Sequence, residues 1–207
     1  MYYSKVKFIS WNLDTAPIDM GEHSCYLGLW NPYVDSRFDV LSQIRDIEAR
    51  FFFFKEILAN SYNYFDHSEN VLNIFIAPEF LFRGPAGAYL SNLLSGWENV
   101  PTDYNLQNTC FEKWDGLFGL LNKELSQEKY KHCLFVMGTA VGASYTTQSG
   151  RIVSTQNTEA YNYSFVKLGG SSSEKSLHYC KKNFKSNIDF LRFTTYLSPL
   201  VSLKIIY

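Results

Sequence analysis

The chain has little of what marks several common function classes. Its four cysteines, Cys25, Cys110, Cys133 and Cys180, are widely scattered and form no C-x-x-C pair. Its four histidines, His23, His67, His132 and His178, form no H-x-x-x-H pattern. Zinc-ribbon, zincin and thioredoxin-like readings are therefore excluded, and no metal or organic cofactor is expected. The cysteines read as reduced thiols, mostly in the core, with His132-Cys133 opening a buried strand. Nineteen basic against twenty acidic residues leave a net charge of −1, with no basic block interleaved with aromatics, so no nucleic-acid partner is expected. No apolar run reaches membrane-spanning length, and the first residues lack the pattern of a signal peptide. The expectation is a cytoplasmic protein with no membrane partner.

What is present suits one compact domain. The chain is 46% hydrophobic and 19% charged over 207 residues, enough to bury a sizeable core. Residues 5–13 read as a buried first strand, and 14–35 as a long irregular loop. Val40, Ile44, Ile47, Phe51, Phe54 and Leu58 recur at helical spacing, and Ser36-x-x-Asp39 predicts a helix start near Arg37. Residues 71–77 form a second strand, and 84–108 are loop-like. Phe111, Trp114, Leu117, Leu121 and Leu125 predict a second helix that Thr109-x-x-Glu112 could cap. Residues 133–141, 160–168 and 177–182 read as three further strands, the last two joined by the hairpin Gly169-Gly170-Ser171-Ser172-Ser173. That order predicts an α/β fold with mixed strand pairing, without internal repeat or domain boundary.

Two places carry candidate chemistry. The apolar run Ile74-Phe-Ile-Ala-Pro-Glu79 ends on a lone carboxylate, followed by Gly84. A buried strand that stops at Pro-Glu brings a charged group to the rim of a sheet, where clefts form. Near the end of the chain, Leu177-His-Tyr-Cys-Lys-Lys182 ends a strand in a lysine pair. A base and an ammonium on neighbouring strand ends would be two parts of a nucleophilic hydrolase site. Other signals weigh less. Arg83 could steer a carboxylate but reads as a surface residue, Gly138-Thr-Ala-Val-Gly142 lacks the ending of a phosphate loop, and Asn162 is expected in a structural role beside the site.

Together and in this order the motifs resemble the nitrilase or carbon–nitrogen hydrolase superfamily. The resemblance rests on Pro78-Glu79 with Gly84, the Gly138 strand end, Tyr161-Asn162 opening an apolar strand, and Tyr179-x-Lys181 after a glycine hairpin. It implies a four-layer α-β-β-α sandwich, incomplete at its C-terminus, as a single partial domain over residues 1–207. Family members cleave amide, nitrile or carbamoyl C–N bonds with a Cys, a Glu and a Lys. The thiolate attacks, the carboxylate moves protons, and the ammonium stabilises the tetrahedral intermediate. By motif, Glu79 is the base and Lys181 the ammonium, with Lys182 as the alternative under a one-residue register shift.

The nucleophilic cysteine does not map, because none follows Lys181. Cys180 adjoins Lys181, and neighbouring strand positions face opposite sides. The implied partner is a small amide or nitrile, with Tyr89, Trp97 and Tyr104 in a cover that suggests a partly apolar one. Without the thiolate, family-type turnover is not expected, and the other class is a non-catalytic small-molecule or protein-binding module. Residues 200–207 read as an apolar strand, so poor solubility or a homodimer is expected of an unfinished sheet.

Overall fold

The computed structural model describes residues 2–13, 15, 28–29, 35–154, 158–173 and 176–181. Lys182, Cys25 and the strand expected at 200–207 lie outside them. The described chain is mixed α/β. In order it runs β1 (Lys5–Ser10), α1 (Val40–Ser61), β2 (Val71–Ile76), β3 (Tyr89–Leu90), α2 (Ser91–Ser95), α3 (Gly116–Leu125) and β4 (Cys133–Ala143). It continues with β5 (Thr146–Gln148), β6 (Arg151–Ser154), β7 (Ala160–Leu168) and β8 (Leu177–Lys181). The main sheet has the order β1-β2-β4-β7-β8, with β3 beside the end of β4, while β5 and β6 form a separate hairpin. The strands β1, β2 and β4 run parallel, whereas β7 is antiparallel to both β4 and β8.

One face of the sheet is covered by helices. Val71, Asn73 and Phe75 alternate with less buried residues on β2, as do Cys133, Phe135 and Met137 on β4. Phe54 of α1 packs edge-on to Phe75, and Phe118 of α3 stacks on Phe165 of β7. The other face is also apolar but less covered. Leu72, Ile74, Leu134, Val136 and Val166 are half-buried there, and Val6 and Phe8 are 52% and 67% exposed. Parallel pairing sets Val6 beside Leu72 and Phe8 beside Ile74, which places them on this second face.

Several elements differ from the sequence reading. The first strand is shorter than 5–13 and lies at an edge of the described sheet with most residues exposed, because only β2 borders it. Helix α1 starts at Val40, where the Asp39 carboxylate accepts from the Ser42 amide (2.8 Å) and hydroxyl (2.7 Å), rather than near Arg37. Helix α3 begins only at Gly116. Backbone hydrogen bonds between Trp97 and Trp114 hold the preceding residues in a turn, and the Thr109 hydroxyl accepts from Phe111 N–H there instead of capping a helix.

Strand β3, helix α2 and the β5–β6 hairpin have no periodic signal of their own. Tertiary pairing makes them, with β3 lying along Gly142 and Ala143. The Gly138–Gly142 segment is strand, not a phosphate loop. Of the described cysteines only Cys133 is buried, while Cys110 and Cys180 are exposed, which corrects the expectation of mostly core thiols. No described helix is long and apolar enough to cross a membrane.

Candidate functional site at the strand-end rim

Glu79 sits where β2 runs out, on a turn that is held from several sides. Proline lacks an N–H, so Pro78 cannot extend the ladder beyond the Ala77 amide, which donates to Val136 O at 3.0 Å. The Pro78 carbonyl rests against Gly138, where an added Cβ would come within 1.6 Å of its oxygen, so only glycine fits. The Glu79 carbonyl accepts from the Thr15 hydroxyl at 2.5 Å. Phe80 is buried and has a φ of +56°, in the left-handed region, and its N–H donates to Thr139 Oγ1 at 3.1 Å. Phe82 then rejoins the sheet as a bridge to Ala140. The Glu79 side chain is exposed at this rim.

A buried charge cluster lies under this turn. The Asp46 carboxylate of α1 accepts from Arg37 Nη1 (2.7 Å), Arg50 Nε (3.0 Å), the Leu29 amide (2.6 Å) and the Tyr89 hydroxyl. Burial pushes the Asp46 carboxyl up, but Arg50 and Arg37 together hold it below the ordinary carboxylate range. Burial also raises the Tyr89 hydroxyl well above its ordinary value. Each guanidinium reaches on to the turn: Arg50 Nη1 donates to Leu81 O (2.7 Å) and Arg37 Nη1 to Arg83 O (3.0 Å). Arg37 is further paired with Asp35. Sequence reasoning passed over this cluster. Its signal was polar Gln43, Asp46 and Arg50 at steps of three and four alongside the apolar stripe of α1.

Lys181 is held differently. It lies opposite Tyr163 at the end of β8, and its ammonium sits 3.6 Å from the centroid of the Tyr161 ring. The Tyr161 hydroxyl donates to Glu159 Oε2 at 2.9 Å. Tyr163 packs edge-on to Phe118, so its partner Lys181 belongs to the helix-covered side, and Cys180, opposite Ser164, to the other. Because β8 runs parallel to β2, Glu79 and Lys181 end on the same rim. They are not on neighbouring strands, since β4 and β7 lie between them. Three strand spacings put their backbones roughly 14 Å apart. Among the described residues no ion pair or hydrogen bond joins the two groups.

Asn162, opposite Val141 on β7, is 3% exposed, and among the described residues neither end of its amide has a hydrogen-bond partner. The expected aromatic cover is not one: Tyr89 and Tyr104 are buried, and the Trp97 indole donates to Phe111 O at 3.0 Å. Arg83 is half-buried with its guanidinium over the Phe80 ring. Among the described residues no three of His, Cys, Asp and Glu form a group that could hold a metal ion. No family model, curated protein or solved structure matches the chain.

Proposed function

We propose that the chain carries the carboxylate and ammonium part of a carbon–nitrogen hydrolase-type site, on one inner layer of a four-layer α-β-β-α sandwich. Its ligands are small amides or nitriles. The observation that carries this reading is the Glu79 turn, a backbone braced in fixed geometry that presents a carboxylate on the rim where Lys181 also ends. The half-covered apolar face of the sheet supports the layered architecture, because a second sheet would bury Val6, Phe8 and their neighbours. In this reading Glu79 relays protons and an ammonium, that of Lys181 or Lys182, stabilises charge on the attacked carbon's substituent.

No described cysteine suits the nucleophile's part. Cys180 belongs to the face opposite Lys181, and Cys110 lies in the exposed loop before α3. Cys133 is at the far end of β4, with its thiol pushed up to about 12 by burial. Loss of the nucleophile in a hydrolase triad costs on the order of a million-fold in turnover. That observation favours a second reading, a non-catalytic module that binds the same small ligands.

A panel of primary amides and nitriles separates the two. Ligand-observed NMR reads binding, and ammonia release reads cleavage, in the wild type, Glu79→Gln and Lys181→Met. Release that needs Glu79 supports the hydrolase, and binding without release supports the module. Neither binding nor release across the panel, or signals indifferent to both substitutions, would overturn both readings.

A further inference from the structure

We infer that Arg37 and Arg50, locked together by Asp46, are positioning residues for Glu79. Their functional meaning rests on the reading of Glu79 above; their geometry does not. A buried ion cluster is weak evidence for stability, since well-packed apolar side chains often serve a core as well or better. This one does something apolar side chains cannot do. Arg50 uses Nε on Asp46 and Nη1 on Leu81 O, and Arg37 uses Nη1 on both Asp46 and Arg83 O. Two carbonyls of the turn, two and four residues beyond Glu79, are thereby fixed to helix α1 and the segment before it.

The turn needs such holding. A non-glycine residue at φ +56° is disfavoured, and the conformation persists only where the surroundings over-determine it. Phe80 is that residue, directly after Glu79. Its amide is tied to Thr139 on one side, and the guanidinium clamp acts on the next carbonyl along the chain. Tyr89 completes the arrangement by donating to Asp46 from β3, so α1, β3 and the segment carrying Arg37 all converge on one carboxylate. For Arg50 the planar fork of arginine is what allows a simultaneous grip on Asp46 with one nitrogen and on a carbonyl with another; the single ammonium of lysine can keep the ion pair while losing the second contact.

The test uses Arg50→Lys in the full chain, with Tyr89→Phe as a comparison that keeps both guanidinium–carbonyl contacts. Three readouts are taken without any substrate: the Phe80 amide resonance and its hydrogen exchange, the carboxyl-carbon resonance of Glu79 at neutral pH, and the thermal midpoint. Glu79→Gln assigns the carboxyl signal. Arg50→Lys is expected to speed exchange at Phe80 by about tenfold or more and to move the Glu79 carboxyl-carbon resonance. Tyr89→Phe is expected to lower the midpoint and leave both signals in place. If Arg50→Lys lowers the midpoint while Phe80 and Glu79 keep their wild-type signals, the cluster is only core adhesive and the inference is overturned. Should Arg50→Lys fail to fold, Arg37→Lys, which gives up the two guanidinium contacts to Asp35 as well as the fork that reaches the Arg83 carbonyl, is read by the same Phe80 and Glu79 signals. Because no amide or nitrile enters these measurements, a chain that binds neither would sink the hydrolase reading and leave this result standing.

Discussion

The two ends of the candidate site are built in opposite ways. Glu79 projects from a turn whose carbonyls and amides are fixed by Thr15, Thr139, Arg50 and Arg37, with its proline packed on a glycine that admits no side chain. Lys181 ends a strand whose residues are mostly exposed, and one aromatic face is what holds its ammonium. An exposed side chain on a braced turn has its attachment point set by tertiary structure, whereas one at the end of an exposed strand is placed by the ring it packs on. A carboxylate that relays protons needs the first kind of placement.

The largest effect should come from the rigid end. Asp46→Asn leaves two buried guanidiniums without their shared carboxylate and is expected to cost about 3–5 kcal/mol. Chemical denaturation reads it, and a loss below about 1 kcal/mol would show that the cluster is not electrostatically tight. Acid should act on the same group. Since the folded-state pKa of Asp46 lies below its unfolded value, near 3.9, its contribution is complete above that pH and is lost as pH falls through the lower folded value. A urea midpoint that stays level from neutrality down to about pH 5 and then declines fits this sign; one that rises on acidification contradicts it.

Gly138→Ala comes next. Its new methyl group would collide with the Pro78 carbonyl, and displacement of the turn should cost about 1–3 kcal/mol or more. An unchanged denaturation midpoint would mean that β4 yields there without strain. A smaller effect of opposite sign is expected from Asn162→Leu, which removes a buried amide with no partner among the described residues and should stabilise by about 1 kcal/mol. Destabilisation would instead reveal a hydrogen bond formed in solution. Smallest of all, Tyr161→Leu should release Lys181 yet shift the thermal midpoint by no more than about 2 °C, because the ammonium is exposed and the ring only half-buried. A larger loss would mean that the lysine end is as firmly built as the glutamate end, and the contrast would fail.

Much of the scaffold was legible because it is periodic or locally dictated. The stripe from Val40 to Leu58 marks α1, β2 stops where Pro78 cannot donate, and Gly169–Gly170 turns β7 into β8. The strand of 160–168 was read at its observed bounds. What escaped reading depends on partners far along the chain. Strand β3 exists because two residues meet β4, Trp114 leaves the helical pattern because Trp97 claims its backbone, and Tyr89 is a buried donor rather than part of a cover.

The sequence by itself thus determined the mixed α/β character, the elements with strong periodicity and the position of a carboxylate at a strand end. These follow from the period of apolar residues and from the stereochemistry of proline and glycine, which act within a few residues. Only the tertiary structure decided that β4 and β7 separate Glu79 from Lys181, and that Lys181 belongs to the helix-covered face. It alone decided that Asp46, Arg37 and Arg50 grip the turn beyond Glu79. Those outcomes rest on strand order and on hydrogen bonds between residues some 30 to 50 positions apart, such as Arg50 with Leu81 and Arg37 with Arg83, and no local pattern records which distant groups will be brought together.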